Sequence, residues 1–474
     1  MIRQTLRSIR NLTVRSVVGG AVTLGVVEYT TQLPSQGKSS AMYHQVSDEI
    51  ITPWMRTWLD PELAHTLALE MTQRGWAPRH RPSAREQRVN VTSVLSFDVE
   101  PATATSTSTT STPTNTKRYG LVFPNPIGLA AGFDKDGQAI QPLLDLGFGS
   151  VEIGTVTPLP QPGNPKPRMF RLADDLGIIN RYGFNSKGAQ AVEENLRAFR
   201  QAPTQHLQNN NNQHKQSLLQ TLFPTPKPAQ GLIGINIGKN KTTQDAKTDY
   251  VHNIHQLGPY ADYLVINISS PNTPNLRDLQ KPQALQELVQ ACLVARSQLN
   301  RPVPLLIKLS PDLTHDEIMA MIPILKLVDG VVVANTTNQR PEELISKHHV
   351  DEIGGLSGAP LKDKATDMIR RLYQAMNGNV FIIGVGGVGS GEDAYEKLKA
   401  GASVVQIYSM MVYQGPGCVS RIRHDLATLL EERGHRSLDD VIGRDHEEIF
   451  WRKQQERRQQ ELATMSQEPT IVDK

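Results

Sequence analysis

DYLVINISSPNTPN, residues 262–275, holds the change of character that decides the fold. Its first half, Leu264-Val265-Ile266-Asn267-Ile268, is a short β-branched run of the kind that forms a strand buried on both faces. Its second half, Ser269-Ser270-Pro271-Asn272-Thr273-Pro274, turns to hydroxyls, amides and loop-fixing prolines. A buried strand that ends this way sets polar groups at the rim of a core. That rim is where α/β proteins keep their chemistry.

Runs of the same kind recur on both sides of it. They are Ile127–Ala131, Val151–Thr155, Leu232–Asn236, Tyr263–Asn267, Leu305–Leu309, Val331–Asn335, Val380–Val385 and Val404–Tyr408. Several follow a helix-ending glycine, in Leu146-Gly147, Leu257-Gly258, Asp329-Gly330 and Ala400-Gly401. Helical stretches such as Pro282–Leu299 and Gly391–Ala400 lie between them. Eight strands alternating with helices over roughly 300 residues predict a (β/α)8 TIM barrel. A doubly wound open sheet is the competing architecture, but it rarely uses eight such regular units.

In a barrel the C-terminal ends of all strands face one mouth. Here those ends read Ala131-Gly132-Phe133-Asp134-Lys135, Gly154-Thr155, Asn236-Ile237-Gly238-Lys239, Asn267 leading to Ser270 and Asn272, Lys308, Asn335-Thr336, Gly384-Val385-Gly386-Gly387 and Tyr408-Ser409. The set is amides, hydroxyls, glycines and lysines. No cluster of His, Cys or carboxylates accompanies it, so no metal site is expected. The glycine-rich seventh end, a helix start near Ser390 and Tyr408-Ser409 after the eighth strand suit a phosphate held by backbone N–H groups. The plainer reading is glycine used for tight packing alone.

Lys308 ends a strand that otherwise reads PLLIKLS. A lysine there needs an anion or an electron-rich ligand, such as a flavin ring that gains negative charge on reduction. Otherwise it must snorkel to solvent. Ser270 is flanked by Asn267 and Asn272, and Asn180, Asn236 and Asn335 are free to converge on it. Several amides around one cavity can read a planar ligand with alternating N–H and C=O groups. Without that company Ser270 would be only a loop capper.

The remainder of the 474 residues surrounds this barrel. Residues 1–27 contain Arg3, Arg7, Arg10 and Arg15 and no acid, as mitochondrial presequences do. The apolar run Ser16–Val27, if extended to Leu33, is either part of a cleaved leader or a membrane anchor, so 1–41 is read as a targeting segment. Residues 42–80 predict a helical hairpin. Val46, Ile50, Trp54 and Trp58 recur every four residues, and Asp60 caps a second helix with Pro61 first and Leu63, Leu67 and Met71 as its stripe. Such a hairpin is either interfacial or packed on the barrel. The barrel domain spans 81–446. Two stretches, 101–116 (PATATSTSTTSTPTNT) and 203–230, lack the apolar side chains to order themselves and are expected as surface-loop insertions. The tail 447–474 is charge-rich and reads as a solvated helix with a loose end. A net charge of +3 without a dense basic stripe is no nucleic-acid signature, and two cysteines, Cys292 and Cys418, build no disulfide framework.

These segments resemble one family. AAGFDK at 130–135, VEIGTVTP at 151–158, INRYGFNS at 179–186, NIGKNK at 236–241, NISSPNT at 267–273, GGLSG at 354–358 and IIGVGGV at 382–388 are similar to the motifs of dihydroorotate dehydrogenase in its quinone-using class. The likeness covers about Trp54 to His446. The soluble class places a cysteine where Ser270 stands. The resemblance implies FMN contacted by Ala131, Gly132, Thr155, Asn236, Asn267 and Lys308, with Gly358, Gly387, Tyr408 and Ser409 on its phosphate side. It implies dihydroorotate held by Lys135, Asn180, Arg181, Tyr182, Gly183, Phe184, Asn267, Asn272, Thr273, Asn335 and Thr336, with Ser270 as the base. It further implies ubiquinone entering through the hairpin past His65, Arg171 and Tyr408, at the mitochondrial inner membrane, in a monomer. One departure stands out: Ala334 sits where the family often has threonine.

Overall fold

The structure, a computed structural model, describes residues 47–77, 79–99, 117–208 and 230–465. The leader, its apolar run, the stretch 101–116 and residues 209–229 therefore lie outside the described residues. Strands are numbered in chain order.

A hairpin not anticipated from the sequence begins the description. β1 (Ser93–Val99) pairs antiparallel with β2 (Lys117–Phe123). Its burial alternates: Ser93, Leu95 and Phe97 face in, while Val94, Ser96 and Asp98 face solvent. The inward side packs with Phe123, Val265, Leu306 and Val332, which closes one end of the barrel.

The barrel itself is closed and parallel. Its strands are β3 (Ile127–Leu129), β4 (Ser150–Val156), β7 (Leu232–Ile237), β8 (Tyr263–Asn267), β9 (Leu305–Leu309), β10 (Gly330–Val333), β12 (Ile382–Val385) and β13 (Val404–Ile407). Each neighbours the next in chain order, and β13 returns to β3. All of β8 and β9 is buried, as expected for β-branched runs covered on both faces. Helices lie between strands at Pro282–Ser297, His315–Leu325, Lys362–Ala375 and Gly391–Lys399, among others. Strand edges differ from the reading by one or two residues. β10 is assigned only to Val333, although the N–H groups of Ala334 and Asn335 still donate to the Val385 and Leu309 carbonyls, and the Asn335 side chain lines the mouth. Gly258 and Gly330 do not end helices in a left-handed turn, whereas Gly147 and Gly401 have φ of 112° and 118°.

A second small sheet crosses the mouth. β5 (Met169–Leu172), β6 (Gly177–Asn180) and β11 (Gly355–Gly358) are antiparallel in the order β11-β6-β5. The signal for it was present: two apolar runs, MFRL and GIIN, flank the turn residues Ala173-Asp174-Asp175-Leu176.

The N-terminal helices run Thr52–Trp58 and Pro61–Gln73. Asp60 caps the second by accepting from the N–H groups of Glu62 and Leu63 at 3.0 and 3.1 Å. The hairpin is tied to β5 and the loop before it. Arg168 donates to Glu62 at 2.8 and 3.2 Å, and Arg171 Nη1 donates to the carbonyls of Arg56 and Leu59 at 2.8 and 2.9 Å. Two expectations are corrected. The helix Ala189–Gln208 continues through the first six residues of the 203–230 stretch, extending a barrel helix before any loop begins. The C-terminal helix Glu447–Met465 is not wholly solvated, because Phe450 is buried and Ile449 packs on the core. Among the described residues no helix is long and apolar enough to cross a membrane.

Candidate active site

The strand ends and the β5–β6–β11 sheet enclose one cavity at the barrel mouth. At one end, the turn after β12 presents Gly386 and Gly387, the end of β11 presents Gly358, and Tyr408-Ser409 follow β13. Gly387 has φ +70°, and a Cβ there would lie 2.5 Å from Lys362 Cβ. Gly358 has φ +94°, and a Cβ there would lie 2.2 Å from the Leu176 carbonyl oxygen. Only glycine fits, so the backbone is bare to any ligand. Ser357 and Ser409 hydroxyls meet at 2.9 Å beside it.

The middle and far end are built on β8. Asn267 donates from Nδ2 to Thr155 Oγ1 at 2.8 Å and Asn236 Oδ1 at 3.1 Å, while its Oδ1 accepts from Asn335 Nδ2 at 3.2 Å. Asn335 also donates to Ser269 Oγ at 3.0 Å. Thr155 donates to Asn236 at 2.5 Å. Four strands are thus locked to one another by amides and hydroxyls that satisfy each other before any ligand arrives. Asn272 reaches Asn180 at 3.3 Å, and the Asn272 N–H donates to Ser270 Oγ at 3.3 Å. Ser270 is buried and lines the cavity.

The charges at this cavity are one-sided. Its lining holds Lys135 and Lys308 and no Asp, Glu or Arg. Lys135 donates to Asn185 Oδ1 at 2.8 Å and stands 3.3 Å over the centre of the Tyr182 ring. Burial, reinforced by the nearby Arg168, holds its ammonium down to about 7. Burial likewise lowers Lys308, against the pull of Glu152. Two desolvated cations over a cavity without carboxylates favour a ligand set rich in negative charge.

Most residues singled out from the sequence line this cavity: Ala131, Gly132, Lys135, Thr155, Asn180, Tyr182, Gly183, Phe184, Asn267, Ser270, Asn272, Lys308, Asn335, Thr336, Gly358, Gly387, Tyr408 and Ser409. Three do not. Arg181, just past β6, turns away, donating to Glu352 at 2.6 Å and lying over Phe170, while Asn180 and Tyr182 on either side of it line the cavity. Asn236 sits behind Thr155 and Asn267, and contributes through them. Thr273 is buried behind the loop, with an Oγ1 that has no partner. The sequence reading missed Asn185, Ser357, Gln406 and Met169 on the wall, and Glu152 behind it. Glu152 had a legible signal: a carboxylate inside an apolar strand, as conspicuous as Lys308.

A second cavity lies between the hairpin and the barrel. It is lined by Met55, Ala64, Ala68, Met71 and Phe133, with Arg56, His65 and Arg171 among its polar groups. His65 Nε2 donates to the Phe133 carbonyl at 2.7 Å, and its Nδ1 accepts from Tyr408 Oη at 3.3 Å. Burial holds this imidazole down to about 4, so it is neutral at ordinary pH. Tyr408 and Met169 line both cavities. The rings of His65, Phe133 and Tyr408 lie 5.1 to 6.0 Å apart at the wall between them.

A sequence model of the family described as dihydroorotate dehydrogenase matches residues 114–430. A mouse protein named dihydroorotate dehydrogenase (quinone), mitochondrial, is 44% identical over 403 residues, covering 84% of this chain and 90% of its own. The dihydroorotate dehydrogenase (quinone) of Rhodospirillum rubrum is 44% identical over 394 residues, covering 82% and 92%. A crystal structure of DHODH from Eimeria tenella in complex with ferulenol aligns with a TM-score of 0.67 at 37% identity, covering 82% of this chain and 96% of that one.

Proposed function

The chain belongs to the dihydroorotate dehydrogenase family, and on that premise we propose a division of labour between its two cavities. The protein oxidises dihydroorotate to orotate in pyrimidine synthesis, with FMN as hydride acceptor and a quinone as final electron acceptor. The observation that carries the assignment of the cavities is their shared wall. One is polar and lysine-bearing, the other apolar, and Tyr408 borders both.

The mouth cavity suits FMN on three counts: bare glycine backbone for a phosphate at one end, Lys308 midway, and a network of amides at the other end. When bound, FMN supplies a ring that accepts the hydride and passes the electrons on. Gly358, Gly387, Tyr408 and Ser409 hold its phosphate side. Ala131, Gly132, Thr155, Asn267 and Lys308 line its ring, with Asn236 fixing Thr155 and Asn267 from behind. Lys135 pairs with the carboxylate of dihydroorotate. Asn180, Asn267, Asn272, Asn335 and Thr336 read its N–H and C=O edges, and Tyr182, Gly183 and Phe184 close the side. Ser270 takes the proton from C5. A hydroxyl is a weak base unaided, so the proton leaves through a relay, for which the loop offers the buried, unpartnered Thr273 Oγ1.

The apolar cavity receives ubiquinone. Its entrance helices leave Ile50, Trp58 and Leu63 exposed at 59%, 70% and 52%, a surface suited to the membrane interface. The acid-free, Arg-bearing N-terminus and relatives named mitochondrial support the mitochondrial inner membrane as the location. Visible absorption tests the assignment. The purified protein is yellow, bleaches with dihydroorotate and recovers its colour with a short-chain ubiquinone but not with fumarate or NAD. A colourless protein, or colour that dihydroorotate does not bleach, overturns it.

A further inference from the structure

The side chains assigned so far face a cavity or brace one that does. Glu152 faces neither, and no role above accounts for its charge. It projects from β4 into the barrel interior and is fully buried. Such interiors are ordinarily packed with branched aliphatic side chains. Here the interior also holds Glu152, Asn236, Lys308 and Gln406, above apolar residues such as Phe97, Phe123 and Leu306.

The two carboxylate oxygens are both occupied. Asn236 Nδ2 donates to Oε1 at 2.8 Å, and Gln406 Nε2 donates to Oε2 at 2.7 Å. Lys308 Nζ stands 3.9 Å from Oε1, in ion-pair range but too far for a hydrogen bond. The Lys308 side chain makes no hydrogen bond among the described residues, and it lines the mouth cavity. The carboxylate is therefore held from two sides by amides, and the ammonium is left directed at the ligand. Replacing a buried ion pair with apolar groups is often neutral or stabilising, so stability does not explain the pair.

We propose that Glu152 is a positioning residue for the redox step: it keeps Lys308 protonated and turned into the cavity, so that a fixed positive charge faces the cofactor before and after reduction. The proposal rests on the FMN reading of that cavity. Its physical basis is the competition acting on Lys308. Burial favours the neutral amine, and Glu152 is the charged group that opposes it. The phenol of Tyr263, from β8, is pushed well above its usual range and stays neutral. Lys135, of the same sign, lines the same cavity. Without the carboxylate, the lysine would lose its proton while the cofactor is oxidised. It would regain it on reduction, when negative charge arrives. One extra proton would then accompany each two electrons.

The test is the midpoint potential of bound FMN as a function of pH, measured on wild-type holoenzyme and on Glu152→Gln, which keeps the shape and removes the charge. One proton per two-electron couple corresponds to about 30 mV per pH unit. The Glu152→Gln line is expected to be steeper than wild type by that amount, and the same substitution in a Lys308→Met background is expected to change no slope. Parallel wild-type and Glu152→Gln lines overturn the proposal. Should Glu152→Gln not retain FMN, the wild-type line decides. No bend towards a steeper slope with rising pH supports a lysine that stays charged, and such a bend overturns it. Protein that is yellow and bleached by dihydroorotate, yet gives parallel lines, refutes this role alone. Colourless protein refutes the functional reading beneath it.

Discussion

The two cavities meet at Tyr408 but are built on opposite principles. The mouth cavity needs the whole barrel. Thr155, Asn236, Asn267 and Asn335 come from, or just after, β4, β7, β8 and β10, and each is fixed by the others. The hairpin cavity needs one local element docked on the sheet, held by the Arg168–Glu62 pair and by Arg171 at the end of the first helix. One site is preorganised by a network with little freedom left. The other is an apolar slot between a docked hairpin and the barrel. Chemistry that must place a proton and a hydride uses the first kind; passage of a large apolar carrier uses the second.

Substitutions can break that contrast, beginning with the largest effect. Ser270→Ala is expected to slow flavin reduction by dihydroorotate on the order of 10²- to 10⁴-fold, the usual worth of general-base catalysis. FMN content and reoxidation of pre-reduced enzyme by quinone should be unchanged. Stopped-flow absorbance separates the two half-reactions, and equal losses in both would show that the cavities are not independent.

Lys135→Met comes next, with a loss of dihydroorotate affinity on the order of tenfold to a hundredfold, the range for a hydrogen bond to a charged group. The pH dependence sharpens the point. Burial, with Arg168, holds Lys135 down to about 7 in the unliganded site, and only its protonated form pairs with a carboxylate. Binding is therefore full below that value and weakens as pH rises through it, approaching tenfold per unit. Lys135→Met should lose this slope. Titration of dihydroorotate binding from pH 6 to 9 in both proteins measures it, and identical slopes would remove Lys135 from the carboxylate.

The smallest effect is expected on the other side. Arg171→Ala frees the carbonyls of Arg56 and Leu59 and loosens the hairpin, at about 1 kcal/mol per lost hydrogen bond. The KM for quinone should rise several-fold, while the dihydroorotate half-reaction keeps its rate. A slowed first half-reaction would mean that the hairpin also shapes the mouth.

Much of the mouth was readable because its residues break a pattern. Asn267, Lys308 and Asn335 stand out where β-branched runs stop or are interrupted, and a barrel sends all such ends to one side. Arg181 was misread because it travels with INRYGFNS, while its guanidinium turns to Glu352 and the residues on either side of it, Asn180 and Tyr182, face the cavity. Glu152 and Gln406 went unread, because a polar residue inside a strand does not say which partners lie across the barrel.

Local chemistry, then, is what the sequence determined by itself: eight buried strands, their polar ends, the capped helix at Asp60 and the bare glycines. These depend on neighbours a few residues away. Which oxygen of Glu152 meets Gln406, which face of β6 looks inward, and that Tyr408 divides two cavities depended on closure of the barrel and docking of the hairpin. Those contacts join residues such as Glu152 and Gln406, 254 positions apart, and only the assembled fold brings them within hydrogen-bonding distance.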